Sequence, residues 1–195
     1  MLPENSMNFY LIGYRCTGKT TVGRLLAERL GWPLVDTDRE IVDTAGMSID
    51  CMVAAYDWPF FRQRESEVLS RVAAADRQVV ATGGGIVLDK NNRQTMKTTG
   101  KVVWLTASET CIRTRMLADA ATDDNRPPLT GRGLLEEIET VLAERKPLYE
   151  NAADLTIATD RVRIEEICDR IVEALNPTTL TSKEPNPCPV PSEPY

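Results

Sequence analysis

The sequence predicts an α/β fold in which a five-stranded parallel sheet lies between two layers of helices. Short apolar segments alternate along the chain with longer segments whose apolar residues recur at helical spacing. Strands that alternate with helices pair in parallel, because each helix carries the chain back across one face of the sheet. With 195 residues, of which 42% are hydrophobic and 27% charged, the chain suits a single globular domain.

Each predicted strand is a compact apolar run, and several of them end in glycine or aspartate. The first, "MNFYLIG", is apolar almost throughout, as expected of a strand buried on both faces of a parallel sheet. The five predicted strands cover residues 7–13, 32–38, 77–85, 100–107 and 153–159.

Six segments have helical periodicity. In the first of them, Val22 and three leucines recur at helical spacing, and Gly31 follows where a C-terminal cap is expected. The predicted helices cover residues 20–31, 40–56, 59–75, 109–118, 134–150 and 164–175.

Two segments lack any periodicity. Residues 119–133, "DAATDDNRPPLTGRG", are polar and rich in turn formers, which predicts a mobile loop. Residues 177–195 carry six of the twelve prolines and few apolar side chains, which predicts a disordered tail. We therefore assign residues 1–176 to one domain and leave the tail outside it.

Charge and hydropathy exclude several classes of partner. A net charge of -6 and a pI near 4.9 argue against nucleic-acid binding, which needs a basic face. The sequence has no apolar run of membrane-spanning length, and its first residues lack the pattern of an export signal. We expect no membrane association and a cytoplasmic location.

The chain has five widely spaced cysteines and no histidine. Without a C-x-x-C pair, the cysteines are interpreted as reduced thiols. The lack of histidine removes imidazole bases and serine–histidine or cysteine–histidine nucleophiles. Any catalysis must therefore use carboxylates, cations and backbone amides.

A pattern for phosphate binding follows the first predicted strand and opens the first predicted helix. Gly13 and Gly18-Lys19-Thr20 form G-x-x-x-x-G-K-T. Backbone amides in such a turn converge on phosphate oxygens, Lys19 can reach the bridging and terminal phosphates, and the Thr20 hydroxyl can bind Mg²⁺. A GTPase is the first alternative, because "DTAG" at residues 43–46 resembles a switch element. That tetrapeptide lies in a predicted helix, however, and no N-K-x-D motif follows.

Three further patterns suggest a small anionic acceptor. "DTD", Asp36 to Asp38, ends a predicted strand, so that its two carboxylates would point to one side, although an acidic strand end is often only a helix cap. "TGGG" lets the backbone approach a ligand and present amides. Three arginines could grip a carboxylate or phosphate with their planar fork, namely Arg62, Arg126 and Arg145.

These motifs together resemble the shikimate kinase family. The segments "GYRCTGKTTVGRLLAERLG", "DTD", "FFRQRES", "TGGGIV", "RPPLTG" and "ERKPLY" occur in the family's order, and the resemblance covers about residues 8–175. It implies a P-loop kinase three-layer α/β/α fold with a mobile lid over about residues 117–133. It also implies phosphorylation of the 3-hydroxyl of shikimate by MgATP, on the route to chorismate and the aromatic amino acids. We expect the protein to be a monomer.

The resemblance also implies roles for individual residues. Lys19, Asp38 and Arg126 would be catalytic, with Asp38 accepting the hydroxyl proton and Arg126 closing over ATP from the lid. Asp36 would support Mg²⁺ beside Thr20, and Arg115 would stack on adenine. The implied ATP-binding residues are Gly13, Arg15, Cys16, Thr17, Gly18, Lys19, Thr20, Thr21, Arg115 and Arg126. The implied shikimate-binding residues are Asp38, Arg62, Gly83, Gly84, Gly85 and Arg145.

Two alternatives share the phosphate pattern. Another small-molecule kinase on this fold, acting on gluconate or a nucleoside monophosphate, would use other acceptor residues. A non-catalytic nucleotide-binding module would bind ATP and turn over no acceptor.

Overall fold

The computed structural model of the chain describes residues 7–118 and 137–175. The predicted lid from residue 119 onward, with Arg126, and the proline-rich tail lie outside the described residues. The domain boundary at residue 176 and the tail therefore stay predictions.

The described residues contain the predicted parallel sheet of five strands, in the order β2-β3-β1-β4-β5. The strands are β1 (Asn8–Ile12), β2 (Leu34–Asp36), β3 (Val79–Ala81), β4 (Gly100–Thr106) and β5 (Leu155–Ala158). The first strand in sequence is thus the central one, and all five of its residues are buried. This agrees with its apolar sequence, since a central strand in a parallel sheet is covered on both faces.

The two faces of the sheet have separate cores, which gives the predicted three layers. Alternate residues of β1 point to opposite faces. Phe9 and Leu11 belong to one buried cluster, which also includes side chains of the first and last helices. Tyr10 and Ile12 belong to the other cluster. The prediction of helices on both faces is confirmed.

Seven α-helices and one 3₁₀ turn surround the sheet in the described residues. They are α1 (Lys19–Leu30), α2 (Thr37–Ala45), α3 (Ile49–Val72), the 3₁₀ turn Ile86–Leu88, α4 (Lys90–Thr99), α5 (Glu109–Ala118), α6 (Ile138–Ala152) and α7 (Ile164–Leu175). The sequence did not predict α4, because its ten residues are almost all polar. Asp89 caps it by accepting hydrogen bonds from the Asn91 and Asn92 amides.

The prediction of one helix from Glu40 to Tyr56 is wrong. Gly46, with φ of 67°, ends α2, and the Ser48 hydroxyl caps α3 by accepting a hydrogen bond from the Cys51 amide. The same segment places the GTPase-like "DTAG" at the end of α2, so that it does not follow a strand.

Helix α3 is kinked where the sequence predicted an interruption between Tyr56 and Pro59. Asp57 has φ of 67° and ψ of 168°, outside the helical region, and Pro59 follows two residues later. A proline is tolerated there because it stands in the first turn of the second half of the helix. The kink turns Trp58 toward the cavity described below.

The cysteines and the apolar character of the helices bear on two smaller expectations. None of the four cysteines in the described residues forms a disulfide, as expected for reduced thiols. No helix within residues 7–118 and 137–175 has both the length and the apolar character that crossing a bilayer requires.

Candidate active site

A cavity of about 250 Å³ opens at the carboxyl ends of β1, β2 and β3. Ligands commonly bind at this edge of an open parallel sheet. The strand order makes β1 the neighbour of β3, and β3 the neighbour of β2, so the segments that follow these strands meet there. The cavity is lined by Arg15, Cys16, Gly18, Lys19, Thr20, Thr21, Asp36, Asp38, Ile49, Trp58, Phe61, Arg62, Glu65, Thr82, Gly83, Gly84, Gly85 and Arg145.

The phosphate loop, residues 13–20, forms one wall. Gly13 has φ of 143°, and a Cβ atom there would collide with the Leu105 carbonyl oxygen of β4. Gly18, with φ of 93°, stands directly before α1, so the amides of the first helical turn face the cavity end of the loop. The Lys19 ammonium donates to the carbonyl oxygens of Gly13 (2.9 Å) and Tyr14 (2.8 Å). It therefore lies across the loop.

A second cavity of about 300 Å³ lies on the other side of the phosphate loop. Arg115 and Thr17 line it, together with apolar side chains of α7. The Arg115 guanidinium donates to the Cys16 carbonyl oxygen (3.1 Å) and to the hydroxyl and carbonyl oxygens of Thr159 (3.0 and 2.9 Å). Arg115 is thus tied to the phosphate loop, beside a partly apolar space.

Thr20 and Asp36 are brought together at the loop. The Thr20 hydroxyl donates to Asp36 Oδ2 (2.9 Å), and Asp36 Oδ1 accepts from the amides of Asp38 (3.2 Å) and Arg39 (3.3 Å). Asp36 is therefore also the N-cap of α2. This is the structural role that the sequence left open as an alternative to ligand binding. A hydroxyl and a carboxylate oxygen fit Mg²⁺, which takes few protein ligands when it also binds phosphates. Within the described residues no cluster of three or more acidic, cysteine or histidine side chains offers a fuller metal cage.

The prediction that Asp36 and Asp38 share one side of a strand is wrong. Strand β2 ends at Asp36, and Asp38 lies in the first turn of α2. The helical turn, not the strand pleat, carries Asp38 into the cavity. There its carboxylate faces the glycine loop, residues 83–85, because a Cβ atom on Gly83 would come within 2.5 Å of Asp38 Oδ1.

Glu65 belongs to the site, and the sequence reasoning missed it. Its side chain is 1% exposed, and it pairs with Arg62 at 2.6 Å between Oε2 and Nη1. A Cβ atom on Gly83 would lie 2.6 Å from Glu65 Oε1. Burial raises the pKa of Glu65 to about 7; the Arg62 guanidinium opposes this rise and the Asp38 carboxylate adds to it.

A signal for Glu65 was present in the sequence. The buried residues of the second half of α3 recur at helical spacing, and Glu65 stands within that apolar stripe between Phe61 and Leu69. An acid on the buried face of a helix needs a partner, and Arg62 lies one turn away on the same side.

Arg62 is held by aromatic rings as well as by Glu65. Its guanidinium lies 5.1 Å from the centroid of the Trp58 ring and 5.0 Å from that of Phe61. A Cβ atom on Gly85 would collide with this guanidinium. Glycine at residue 85 therefore leaves room for the Arg62 side chain as well as for a ligand.

Arg145 reaches the same loop from α6. Its exposed fraction is 7%, and its Nη1 donates to the Gly84 carbonyl oxygen at 2.9 Å. The Tyr149 hydroxyl donates to that carbonyl as well. The Gly83 amide donates to the Thr37 hydroxyl at 2.9 Å, which fixes the loop to α2.

The structure brings most of the sequence-predicted site residues together. The predicted residues at positions 15, 16, 18–21, 36, 38, 62, 83–85 and 145 line the first cavity. Thr17 and Arg115 line the second cavity instead, and Gly13 supports the loop from the side of β4. Arg126 lies outside the described residues.

Comparison with known proteins gives the family. A family model described as shikimate kinase matches residues 15–176. The chain belongs to the shikimate kinase family. A shikimate kinase of Symbiobacterium thermophilum is 43% identical over 169 residues, covering 87% of this chain and 96% of its own. Shikimate kinase 2 of Dickeya chrysanthemi is 45% identical over 160 residues, covering 82% and 91% respectively.

Solved structures of shikimate kinases agree with the fold. The enzyme of Acinetobacter baumannii, solved in complex with shikimate, superposes with a TM-score of 0.82 at 33% identity and covers 92% of this chain and 97% of its own. A gluconokinase of Sinorhizobium meliloti reaches a TM-score of 0.52 at 14% identity, which shows a shared fold alone.

Proposed function

We propose that the protein transfers the terminal phosphoryl group of ATP to the 3-hydroxyl of shikimate, a step toward chorismate and the aromatic amino acids. The observation that carries this proposal is the single cavity with two unlike walls. One wall is a phosphate loop, and the other holds an acid and two arginines suited to a hydroxylated carboxylate. Membership of the shikimate kinase family and the shikimate-bound relative support the same acceptor.

On the ATP side, the loop amides and Lys19 bind the phosphates. Phosphoryl transfer passes through a loose, anionic transition state, so alignment and charge stabilisation supply most of the catalysis. When bound with ATP, Mg²⁺ supplies positive charge against the phosphate oxygens, and Thr20 and Asp36 are the residues that would hold it. We assign Arg115 to the adenine, because it borders the second cavity beside the loop.

On the acceptor side, Arg62, Arg145 and the amides of the glycine loop bind the carboxylate of shikimate. Arginine suits this task since its planar fork matches a carboxylate and stays charged. Asp38 binds the ring hydroxyls and accepts the proton of the attacking hydroxyl. Glu65 keeps Arg62 at the glycine loop through its ion pair.

Arg126 completes the proposal from the predicted lid. Its support is the "RPPLTG" segment of the family resemblance, since it lies outside the described residues. We assign it to the charge on the ATP phosphates, where a lid also excludes water from the reaction. We further propose a monomer that acts in the cytoplasm without nucleic-acid or membrane partners. The net charge of -6 supports the absence of a nucleic-acid partner.

The decisive experiment is an acceptor panel. Purified protein with MgATP should release ADP in the presence of shikimate, and the product should be shikimate 3-phosphate by mass and by phosphorus NMR. Quinate and gluconate in parallel reactions should give rates near the background of ATP hydrolysis. ADP release that depends on gluconate and not on shikimate would indicate another small-molecule kinase on this fold. Binding of ATP without turnover of any acceptor would indicate the non-catalytic nucleotide-binding module.

A further inference from the structure

The Gly84 carbonyl oxygen receives two side-chain donors from one helix. Arg145 and Tyr149 stand one turn apart on α6, and both donate to it, at 2.9 Å and 2.5 Å respectively. They begin and end the "RKPLY" part of the family-like motif. The proposed function gives a task to the arginine and none to the tyrosine.

Tyr149 is held rigidly. Its exposed fraction is 1%, and its ring stacks on Trp104 of β4 with centroids 5.6 Å apart and planes inclined by 17°. Burial raises the pKa of its hydroxyl to about 12, so it keeps its proton and stays a donor at any pH near neutrality. The helix and the stacked ring therefore fix the direction of this hydrogen bond.

Fixing the Gly84 carbonyl also fixes the amide that follows it. The peptide bonds of the described residues are all trans, and in a trans peptide the C=O and the next N–H point in opposite directions. The carbonyl of Gly84 points to α6, so the amide of Gly85 points away from α6. Gly85 lines the cavity, beside Arg62.

We propose that Tyr149 is a positioning residue for the acceptor carboxylate, which it serves by holding the Gly84–Gly85 peptide and by leaving the Arg145 guanidinium available. The second effect follows from competition for one carbonyl. Without the Tyr149 hydroxyl, Arg145 is the remaining side-chain donor to Gly84 among the described residues. A partly buried carbonyl that has lost one donor retains the other, so this arginine stays on the loop. The inference rests on the proposed function, since the carboxylate is that of shikimate.

The test is Tyr149→Phe, which removes the hydroxyl and keeps the stacked ring. The KM for shikimate should rise about fivefold, the effect of one hydrogen bond of ordinary strength on binding. The kcat and the KM for ATP should stay within about twofold. A purely structural role would not separate the two substrates in this way.

Tyr10→Phe is the matched control. Tyr10 is also fully buried, its hydroxyl is 2.7 Å from the Thr99 hydroxyl, and it does not line the cavity. Removal of the Tyr10 hydroxyl should lower the Tm by about as much as Tyr149→Phe does and leave both KM values unchanged. If Tyr149→Phe and Tyr10→Phe give the same shikimate KM, or if Tyr149→Phe raises the KM for ATP as much as that for shikimate, the inference is wrong.

A double-mutant cycle separates positioning from general damage. Arg145→Lys and Tyr149→Phe should be strongly non-additive in shikimate KM, because both act through the Gly84 carbonyl. Additive effects would overturn the inference. Calorimetric titration with shikimate well below the Tm gives the same comparison for a variant of low thermal stability. Failure of the wild type to phosphorylate shikimate would instead contradict the proposed function, which keeps the two failures distinct.

Discussion

Lys19 and Arg145 stand on opposite walls of one cavity, which predicts different kinetic losses when each is removed. Lys19→Ala should lower kcat by about 10²-fold or more, because the lysine stabilises charge that develops during transfer. Its affinity for shikimate should be retained. Arg145→Ala should raise the KM for shikimate by about 10- to 100-fold, the range for a charged hydrogen bond, with little change in the KM for ATP.

Steady-state kinetics with each substrate varied in turn measures both losses. Arg29→Ala is the control, since it removes an ion pair with Asp169 on the surface between α1 and α7. This variant should match the wild type in kcat and in both KM values. Equal profiles for Lys19→Ala and Arg145→Ala would contradict the division of labour.

Glu65 predicts a pH dependence of stability. Its pKa is raised by burial from 4.5 to about 7, so between these values the folded protein binds the proton and the unfolded chain does not. Stability is then lost as the pH rises through this window. The free energy of unfolding of the wild type, relative to that of Glu65→Gln, should therefore fall from about pH 4.5 to about pH 7. Urea titrations at a series of pH values measure this difference.

Glu67, two residues further along α3, is the control for Glu65. It is exposed, and hydrogen bonds from Gln63 and Arg64 lower its pKa. The sign is opposite, because a lowered pKa gives stability that is lost as the pH falls, and solvent makes the effect small. The difference between wild type and Glu67→Gln should thus show no decline toward pH 7. A flat difference for Glu65→Gln would show that folding does not raise the pKa of this carboxyl.

Single residues also show what sequence reasoning could reach. Lys19 and Thr20 are identifiable because the spacing of their motif has a chemical reason, whereas Arg145 was identified through the family resemblance. Glu65 is not marked by any such motif, and its importance depends on burial against Gly83, which only the folded chain shows. Asp38 was selected with the wrong local structure, since the end of a strand and the start of a helix look alike in "DTD".

At the scale of elements, the kink in α3 predicts a stabilising substitution. Asp57 has a positive φ that side chains with a Cβ rarely adopt, at a cost of order 1–3 kcal/mol. Asp57→Gly should relieve this strain, partly offset by the greater freedom of glycine in the unfolded chain. A net gain of about 1 kcal/mol corresponds to a rise in Tm of about 2–4 °C for a chain of this size.

Ala54→Gly is the control for Asp57→Gly. Ala54 is exposed within the regular first part of α3, where glycine costs about 1 kcal/mol, so this variant should have a lower Tm. Calorimetric scans compare the two. Because glycine permits the same kink, Asp57→Gly should keep the shikimate KM of the wild type. A fall in Tm for both variants would mean that Asp57 carries no relievable strain.

The helices were predictable where apolar periodicity is strong. They were less predictable where capping residues set the ends of a helix. Helices α1 and α7 were located within a residue or two, since each buries an apolar stripe. The division between α2 and α3 depends on Gly46 and Ser48, whose turn and cap outweigh the helical spacing on either side. Helix α4 buries little besides Met96, so periodicity could not reveal it.

At the scale of the whole molecule, the strand order creates the site. The class, the layers and the number of strands could be predicted from alternation of strands and helices along the sequence. The order β2-β3-β1-β4-β5 could not, because alternation does not say which strands are neighbours. That order makes the phosphate loop, Asp38 and the glycine loop adjacent, although they are separated along the chain by as many as about seventy residues.

Helix α7 has a practical consequence for handling the protein. Its first turn borders the second cavity through Ile164, and its twelve residues run back along the sheet for about 18 Å to Leu175. Helix α7 thus ends at the edge of the sheet away from both cavities. Attaching the enzyme to a bead or sensor chip at the Leu175 end of α7 would leave the entrance to the cleft facing the solution, whereas chemistry aimed at the Cys16 thiol would block it.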